Sequence, residues 1–407
     1  MRRPACRGQA HPREGTLAPR LPIPVVLLGL TSLLNDVASD MVAPLLPLFL
    51  AGTLGAGPAA IGLIEGVADS TASLVKLWSG RQADRTGARK GLAMAGYVLS
   101  NLVRPLIAVA RTWPFVLGLR FTDRVGKGIR TAPRDAMLAG AAGSGAKGRA
   151  FGLHRTMDHA GAAIGPLVAA GLLAAGLPLR EVFLASIVPG LAAVAVLGLG
   201  VRDPPRAAPP GPPPPLRWEL LPPPVRRLIL GTAGLTLGSV PDAFLVLWLD
   251  RAGVPTPAVP LVWAGVHALR ALVALPAGQL SDRLGRVPVM VAGWGLRLLV
   301  LLLLPLGTGP VAATVAFLAY GAATATTEGA ERALVGEAVA EELRGSAFGL
   351  YHATAGLLAL PAAAIFGAVW QLVSPMAAFH LAAVLVGLGV VAVLVGRRGP
   401  APAAGPR

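Results

Sequence analysis

The chain has 407 residues, is 54% hydrophobic with a mean hydropathy of +0.65, and only 14% of its residues are charged. Soluble domains carry about 25% charged residues, so a water-soluble globule is excluded by the apolar surface it would expose. The formal charge of +16 does not point to nucleic acid, because the basic residues sit in short segments between apolar runs and aromatics are only 5%.

The chain opens on a polar leader, 1–21, read as a disordered cytoplasmic tail. It holds the single cysteine, Cys6, so no intramolecular disulfide or cysteine metal cluster can form. Apolar runs such as Leu21–Leu34, Val182–Val201, Val289–Leu306 and Met376–Val395 follow, and a spanning helix needs roughly 20 such residues. Twelve spans fit: 22–50, 58–80, 90–110, 113–138, 150–175 and 180–201, then 228–250, 257–280, 288–306, 310–337, 346–371 and 375–396. The fold class expected is an all-α membrane protein of twelve transmembrane helices in two pseudo-symmetric six-helix bundles, 22–201 and 228–396. Between them, 202–227 is proline-rich; such a run favours extended polyproline II and reads as a semi-rigid cytoplasmic linker. A cytoplasmic tail, 397–407, closes the chain. Trp78, Trp113, Trp248 and Trp370 fall near span ends, as expected of interfacial anchors.

Several spans carry internal charges that hydropathy alone penalises, and an internal repeat recovers them. Gly80-Arg-Gln-Ala-Asp84-Arg85-Thr-Gly87 returns as Gly278-Gln-Leu-Ser-Asp282-Arg283-Leu-Gly285, both reading G-x-x-x-D-R-x-G, 198 residues apart. Gly148-Arg-Ala-Phe-Gly-Leu153 returns as Gly345-Ser-Ala-Phe-Gly-Leu350, 197 apart. Two unrelated motifs at nearly one spacing describe two homologous halves, and in a membrane protein that is the construction of a secondary transporter. Lys and Arg number 22 in the termini and even loops against 3 in the odd loops. Both termini are therefore expected to face the cytoplasm, in an inner or plasma membrane.

Gly80-x-x-x-Asp84-Arg85-x-Gly87-x-Arg89-Lys90 resembles the cytoplasmic loop motif between helices 2 and 3 of the major facilitator superfamily, with Gly278, Asp282, Arg283 and Gly285 as its degenerate second copy. Arg120-Phe-Thr-Asp123-Arg-Val-Gly126 is similar to that family's helix-4 Arg motif, with Asp123 where Gln is usual. Gly161-Ala-Ala-Ile-Gly165-Pro166 resembles the helix-5 antiporter motif, with Ala169-Ala170 in place of its closing Gly-Gly. The resemblance covers nearly the whole chain outside leader and tail. It implies an alternating-access transporter whose loop motif stabilises one face of the cycle. Stretches such as Asn35-Asp36-Val-Ala-Ser39-Asp40 and Gly126-Lys-Gly-Ile-Arg-Thr-Ala-Pro-Arg-Asp135 look like a largely uncharacterised prokaryotic branch.

Charges inside a span cost roughly 2.5–3.5 kcal/mol each near its centre, so each needs a reason. Asp36 and Asp40 are four apart on helix 1, and Glu65 and Asp69 repeat that spacing on helix 2, which places each pair on one face. Arg104, Arg120, Arg124 and Arg155 are the candidate partners; pairing of Arg104 and Arg120 with the helix 1–2 acids is preferred over direct anion binding. The acids, with Asp158, form the expected proton-coupling and central-cavity set; the competing reading is structural pairing at helix ends. Lys127, Arg130, Arg134 and Asp135 continue toward the cytoplasm, opposite Glu328, Glu331, Arg332 and Glu337 on helix 10, and suggest a charged cytoplasmic gate. The second half is more apolar through helices 7 to 9, so ion coupling is sought in the first.

Histidine spacings form no metal-ligand cluster, and no nucleotide-binding motif is present. The expectation is thus a monomeric transporter, not an enzyme, with no catalytic residue, cofactor, metal or nucleic-acid partner, moving a small molecule and protons through a lipid bilayer. Proton-coupled efflux is the first expectation. Uptake or exchange of an anionic metabolite, or a non-transporting sensor or scaffold on the same fold, are the alternatives.

Overall fold

The computed structural model describes residues 21–142, 147–202, 223–307, 309–337 and 344–395. The leader expected over 1–21, the linker over 202–227 and the tail over 397–407 lie outside the described residues except at their edges. Within them run twelve helical spans: α1 (Ile23–Asp40), α2 (Pro58–Thr86), α3 (Arg89–Val103), α4 (Trp113–Ala142), α5 (Lys147–Ala174), α6 (Leu179–Ala185 and Ile187–Gly200), α7 (Pro223–Leu237 and Asp242–Arg251), α8 (Val259–Leu284), α9 (Arg286–Leu303), α10 (Gly309–Glu337), α11 (Arg344–Leu372) and α12 (Pro375–Val395).

Ten of these are long and apolar enough to cross a membrane. The two that are not, α2 and α4, each carry several charges, among them Glu65 and Asp69 on α2 and Arg120, Asp123 and Arg124 on α4, which accounts for their low hydropathy. The repeat governs the register. From α3 to α6 each helix begins 196 or 197 residues before its counterpart among α9 to α12.

Inside the first half, α1 packs on α5 and α6, while α2 and α3 both pack on α4; in the second, α10 receives α8 and α9, and α12 receives the first segment of α7. The halves meet through α2 against α11 and α5 against α8, contacts that the repeat exchanges with one another. Small residues set these distances, as expected where close packing rather than the hydrophobic effect drives helix association. A Cβ at Gly62 would overlap the Ala363 carbonyl oxygen of α11, and one at Gly165 would lie 2.6 Å from the Val37 oxygen of α1. Ser70 adds hydrogen bonds across the halves, donating to Gly356 O at 2.6 Å and accepting from Leu360 N at 3.1 Å.

The outer surface is apolar: Leu199, Leu272, Val311, Leu372 and Val384 are among many large hydrophobic side chains left exposed. A surface of this kind is stable against lipid. Two of the expected interfacial anchors are placed elsewhere. Trp370 is only 6% exposed; it stacks with Phe244, Phe366, Trp248 and Phe379, so it and Trp248 serve the packing of α7, α11 and α12. Trp78, by contrast, is exposed on α2.

Candidate functional site

Arg120, Arg124, Lys127, Arg130 and Arg134 of α4 follow one another in steps of three or four residues, with Asp123 three after Arg120, hence on one helix face. Close crossing of α3 brings partners to them: a Cβ on Gly126 would lie 2.8 Å from Gly96 O. Arg104, where α3 tightens into the 3₁₀ turn Arg104–Val109, thereby reaches Asp123 at 3.1 Å. Arg120 forks onto Glu65 of α2 at 3.1 and 3.2 Å. Asp123 is the hub: Arg120 Nη1 and Arg124 Nε also lie 3.9 Å from its Oδ2. Arg130 donates to Ser100 Oγ at 2.6 Å and sits 4.9 Å over the Tyr97 ring.

This face borders a polar cavity of about 330 Å³ between the halves, a size suited to a small ligand. Asp36 and Asp40 line it from α1, Glu65 and Asp69 from α2, and Asp242, Trp263 and His267 from the second half. A polar string links α1 to α3: Arg104 donates to Asn101 Oδ1 (2.9 Å), Asn101 to Asn35 Oδ1 (3.2 Å), and Asn35 to Asp36 Oδ1 (3.0 Å). Trp263 Nε1 donates to Asp40 Oδ1 at 3.3 Å, joining α8 to α1 across the halves.

The second half contributes through a break in α7. The turn at Gly238–Pro241 interrupts the helix and sets Asp242 in the first turn of the following segment. Tyr320 of α10 accepts from Val240 N at 3.1 Å, and Arg297 of α9 donates to Gly238 O at 3.3 Å. These partners satisfy backbone groups that an unbroken helix would satisfy itself; irregular backbone at membrane depth requires such burial or a lined cavity. Asp242 then takes both ends of the Arg270 fork, at 3.0 and 3.2 Å.

Of the expected coupling set, Asp36, Asp40, Glu65, Asp69, Arg104 and Arg120 line the one cavity, whereas Asp158 and Arg155 do not. The Arg155 side chain is 65% exposed, 4.0 Å from Asp158. Asp158 instead holds His154 Nδ1 at 3.3 Å, and His154 Nε2 lies 3.0 Å from Ser32 Oγ. This Ser-His-Asp string cannot perform acyl transfer on a substrate, because Ser32 is 1% exposed and also accepts from Arg134 at 3.0 Å.

Of the residues expected at a gate, Arg130, Arg134, Asp135 and Glu331 have partners within their own halves. Arg134 pairs with Asp135 at 2.8 Å. Glu331 accepts from Trp294 Nε1 and Tyr351 OH, each at 2.8 Å. Arg134 and Glu331 are therefore not paired in this conformation. Glu328 is exposed on α10, and the Arg332 side chain lies outside the described residues. Lys127 and Arg130 line the cavity from the α4 face. In the loop motif, Gly87 and Gly285 have φ of 68° and 92°, in the region that favours glycine. Gly80 and Gly278 meet no close neighbour that would forbid a Cβ, so the tight approaches are made elsewhere. Arg85, Asp282 and Arg283 are exposed; the Asp84 side chain lies outside the described residues. Arg286, after the second copy, pairs with Asp282 and with Glu337 of α10; Arg89 is half-buried.

Sequence reasoning missed Asp242 and Trp263. The Gly-Ser-Val-Pro run before Asp242 was the available signal for a helix break; Trp263 offered none apart from its repeat position near a span start.

The comparisons with known proteins agree with this architecture. A family model described as Major Facilitator Superfamily matches residues 28–268 and 253–407. The chain is 28% identical over 370 residues to an uncharacterised MFS-type transporter of Methanocaldococcus jannaschii, covering 89% of this chain and 92% of the relative. It is 31% identical over 363 residues to an uncharacterised protein of Mycobacterium tuberculosis, covering 86% and 87%. A shorter match, 29% over 196 residues and 47% of this chain, joins it to 46% of the multidrug resistance protein MdtG of Enterobacter lignolyticus. Among solved structures, a bacterial homolog of the human lysosomal transporter Spinster superposes with a TM-score of 0.75 at 16% identity, covering 92% of this chain and 96% of the other.

Proposed function

The chain belongs to the Major Facilitator Superfamily, and on that footing we propose that it is a proton-coupled secondary transporter that exports a small polar molecule by alternating access. The observation that carries the reading is the cavity between the halves, lined from α1 and α2 by Asp36, Asp40, Glu65 and Asp69. Carboxylates at a water-filled intramembrane site are suited to taking a proton on one side and releasing it on the other. Glu65 is committed to Arg120. Asp36, Asp40 and Asp69 make no ion pair within 4.0 Å among the described residues, which leaves them as the exchanging groups.

The halves touch along α2–α11 and α5–α8, and the turn after α1 meets the second segment of α7. The α2–α11 contact runs from Ser70 and Gly356 to the end of the molecule marked by Pro58 and Gln371, where Ala59 N donates to Gln371 Oε1 at 3.1 Å. Rocking of one half on the other would open that end and close the opposite one. The Asp40–Trp263 hydrogen bond ties such rocking to the state of a cavity carboxylate. The basic bias of the loops supports cytoplasmic termini in an inner or plasma membrane. Outward direction is supported by the helix-5 Gly161–Pro166 motif and by the partial likeness to a multidrug resistance protein.

The test is a flux screen in proteoliposomes with an imposed pH gradient, using small polar compounds of either charge. Accumulation of a compound that depends on the gradient and on Asp36 and Asp40 supports the proposal. Flux that proceeds equally without a gradient excludes proton coupling.

A further inference from the structure

The cations bordering the cavity differ in how far they are already occupied. Arg104 is held by Asp123, Arg120 by both oxygens of Glu65, and Arg130 by Ser100 and the Tyr97 ring. Arg124 and Lys127 are left, three residues apart on the same face of α4. The one ion-pair contact of Arg124 among the described residues is 3.9 Å from its Nε to Asp123 Oδ2, on an acid that Arg104 already binds at 3.1 Å. That Nε is buried without a hydrogen-bond partner. Lys127 makes no ion pair within 4.0 Å among the described residues, and its side chain is exposed where it lines the cavity. Facing the cavity from the second half, His267 Nε2 is likewise buried without a partner.

A buried guanidinium donor without a partner costs free energy that a ligand acceptor would recover. A fork and an ammonium one helical step apart suit a carboxylate or phosphate group. The acids Asp36, Asp40 and Asp69 occupy α1 and α2, so repulsion confines an anion to the α4 wall.

We propose that Arg124 and Lys127 form an anion subsite that takes the carboxylate or phosphate group of a small metabolite as the transported cargo. This rests on the transport reading above and specifies its substrate class.

The experiment uses the full-length protein in nanodiscs of zwitterionic lipid, its melting followed by tryptophan fluorescence. Sodium phosphate and sodium malonate are titrated separately, against sodium chloride and choline chloride at equal ionic strength. A saturable rise in melting temperature with phosphate, malonate or both is expected, and which arm responds identifies the group. Affinity should fall at least about tenfold in Arg124→Gln and in Lys127→Gln, return in Lys127→Arg, and stay unchanged in Arg251→Gln at the exposed end of α7. If Arg124→Gln does not fold, the two Lys127 variants decide. Absence of saturable stabilisation by either anion overturns the subsite, as does binding within twofold of wild type in folded Lys127→Gln. Binding without gradient-driven flux would sink the transport reading and leave the subsite standing; flux of a neutral or cationic compound without anion binding would do the reverse.

Discussion

Replacing Asp123 by Asn should destabilise the first half strongly. Its carboxylate is 6% exposed and faces Arg104 at 3.1 Å, Arg120 at 3.9 Å and Arg124 at 3.9 Å. At an effective dielectric of ~20, unit charges 3.1 Å apart attract by about 5 kcal/mol, and each 3.9 Å contact adds about 4. Desolvation of the acid and its partners offsets most of that sum. The substitution leaves Arg120 paired with Glu65 but Arg104 and Arg124 with no ion pair within 4.0 Å among the described residues, and breaking a buried pair in this way costs about 3–5 kcal/mol. The assay is reversible unfolding in nanodiscs by steric trapping, run as a double-mutant cycle with Arg104→Gln. The double variant should recover part of the loss, with a coupling energy above ~1.5 kcal/mol. The reasoning is refuted if Asp123→Asn costs less than ~1 kcal/mol, or if the two changes add within about 0.5 kcal/mol.

Trp263→Phe removes the indole donor to Asp40 and keeps an aromatic ring. At a separation of 3.3 Å the bond sits at the weak end for a charged acceptor, and the closed-to-open ratio at that end should fall about tenfold. A cysteine at the cavity position Ala43, in a Cys6→Ser background, should react correspondingly faster with an impermeant thiol reagent added from the side of the α2–α11 contact; an unchanged rate would count against the latch. Gly165→Val should prevent correct packing of α5 on α1, since its Cβ alone would lie 2.6 Å from Val37 O, and folded yield should collapse. Gly118→Ala, where a Cβ meets open space, should express as wild type. Ser70→Ala removes two hydrogen bonds between the halves and should lower melting by the equivalent of about 1–2 kcal/mol; an unchanged melting temperature would argue that the contact is carried by the glycines alone.

The register of the twelve spans was legible because the repeat supplied what hydropathy withheld for α2 and α4. The acids of α1 and α2 were legible from their spacing of four. What escaped depended on distant partners. Arg104 pairs with Asp123 of α4 instead of an acid on α1 or α2, because the Gly96–Gly126 crossing brings α3 and α4 together. Asp242 enters the cavity only because Tyr320 and Arg297, about 80 and 60 residues away in the chain, stabilise the break before it. Trp248 and Trp370 looked like interfacial anchors by position, but phenylalanines of α7, α11 and α12 surround them. Arg134 and Glu331 looked complementary across the halves, yet each finds a nearer partner in its own. Local spacing tells which residues share a face, and the crossing of helices decides what that face meets.

The central claim is that the cavity carboxylates of α1 carry the coupled proton. The direct measurement is proton movement into proteoliposomes, followed with an internal pH dye as cargo is added, for wild type, Asp36→Asn and Asp40→Asn at matched reconstitution. Proton movement driven by cargo should be present in wild type and lost in at least one variant that still binds cargo. Full retention in both would contradict the account.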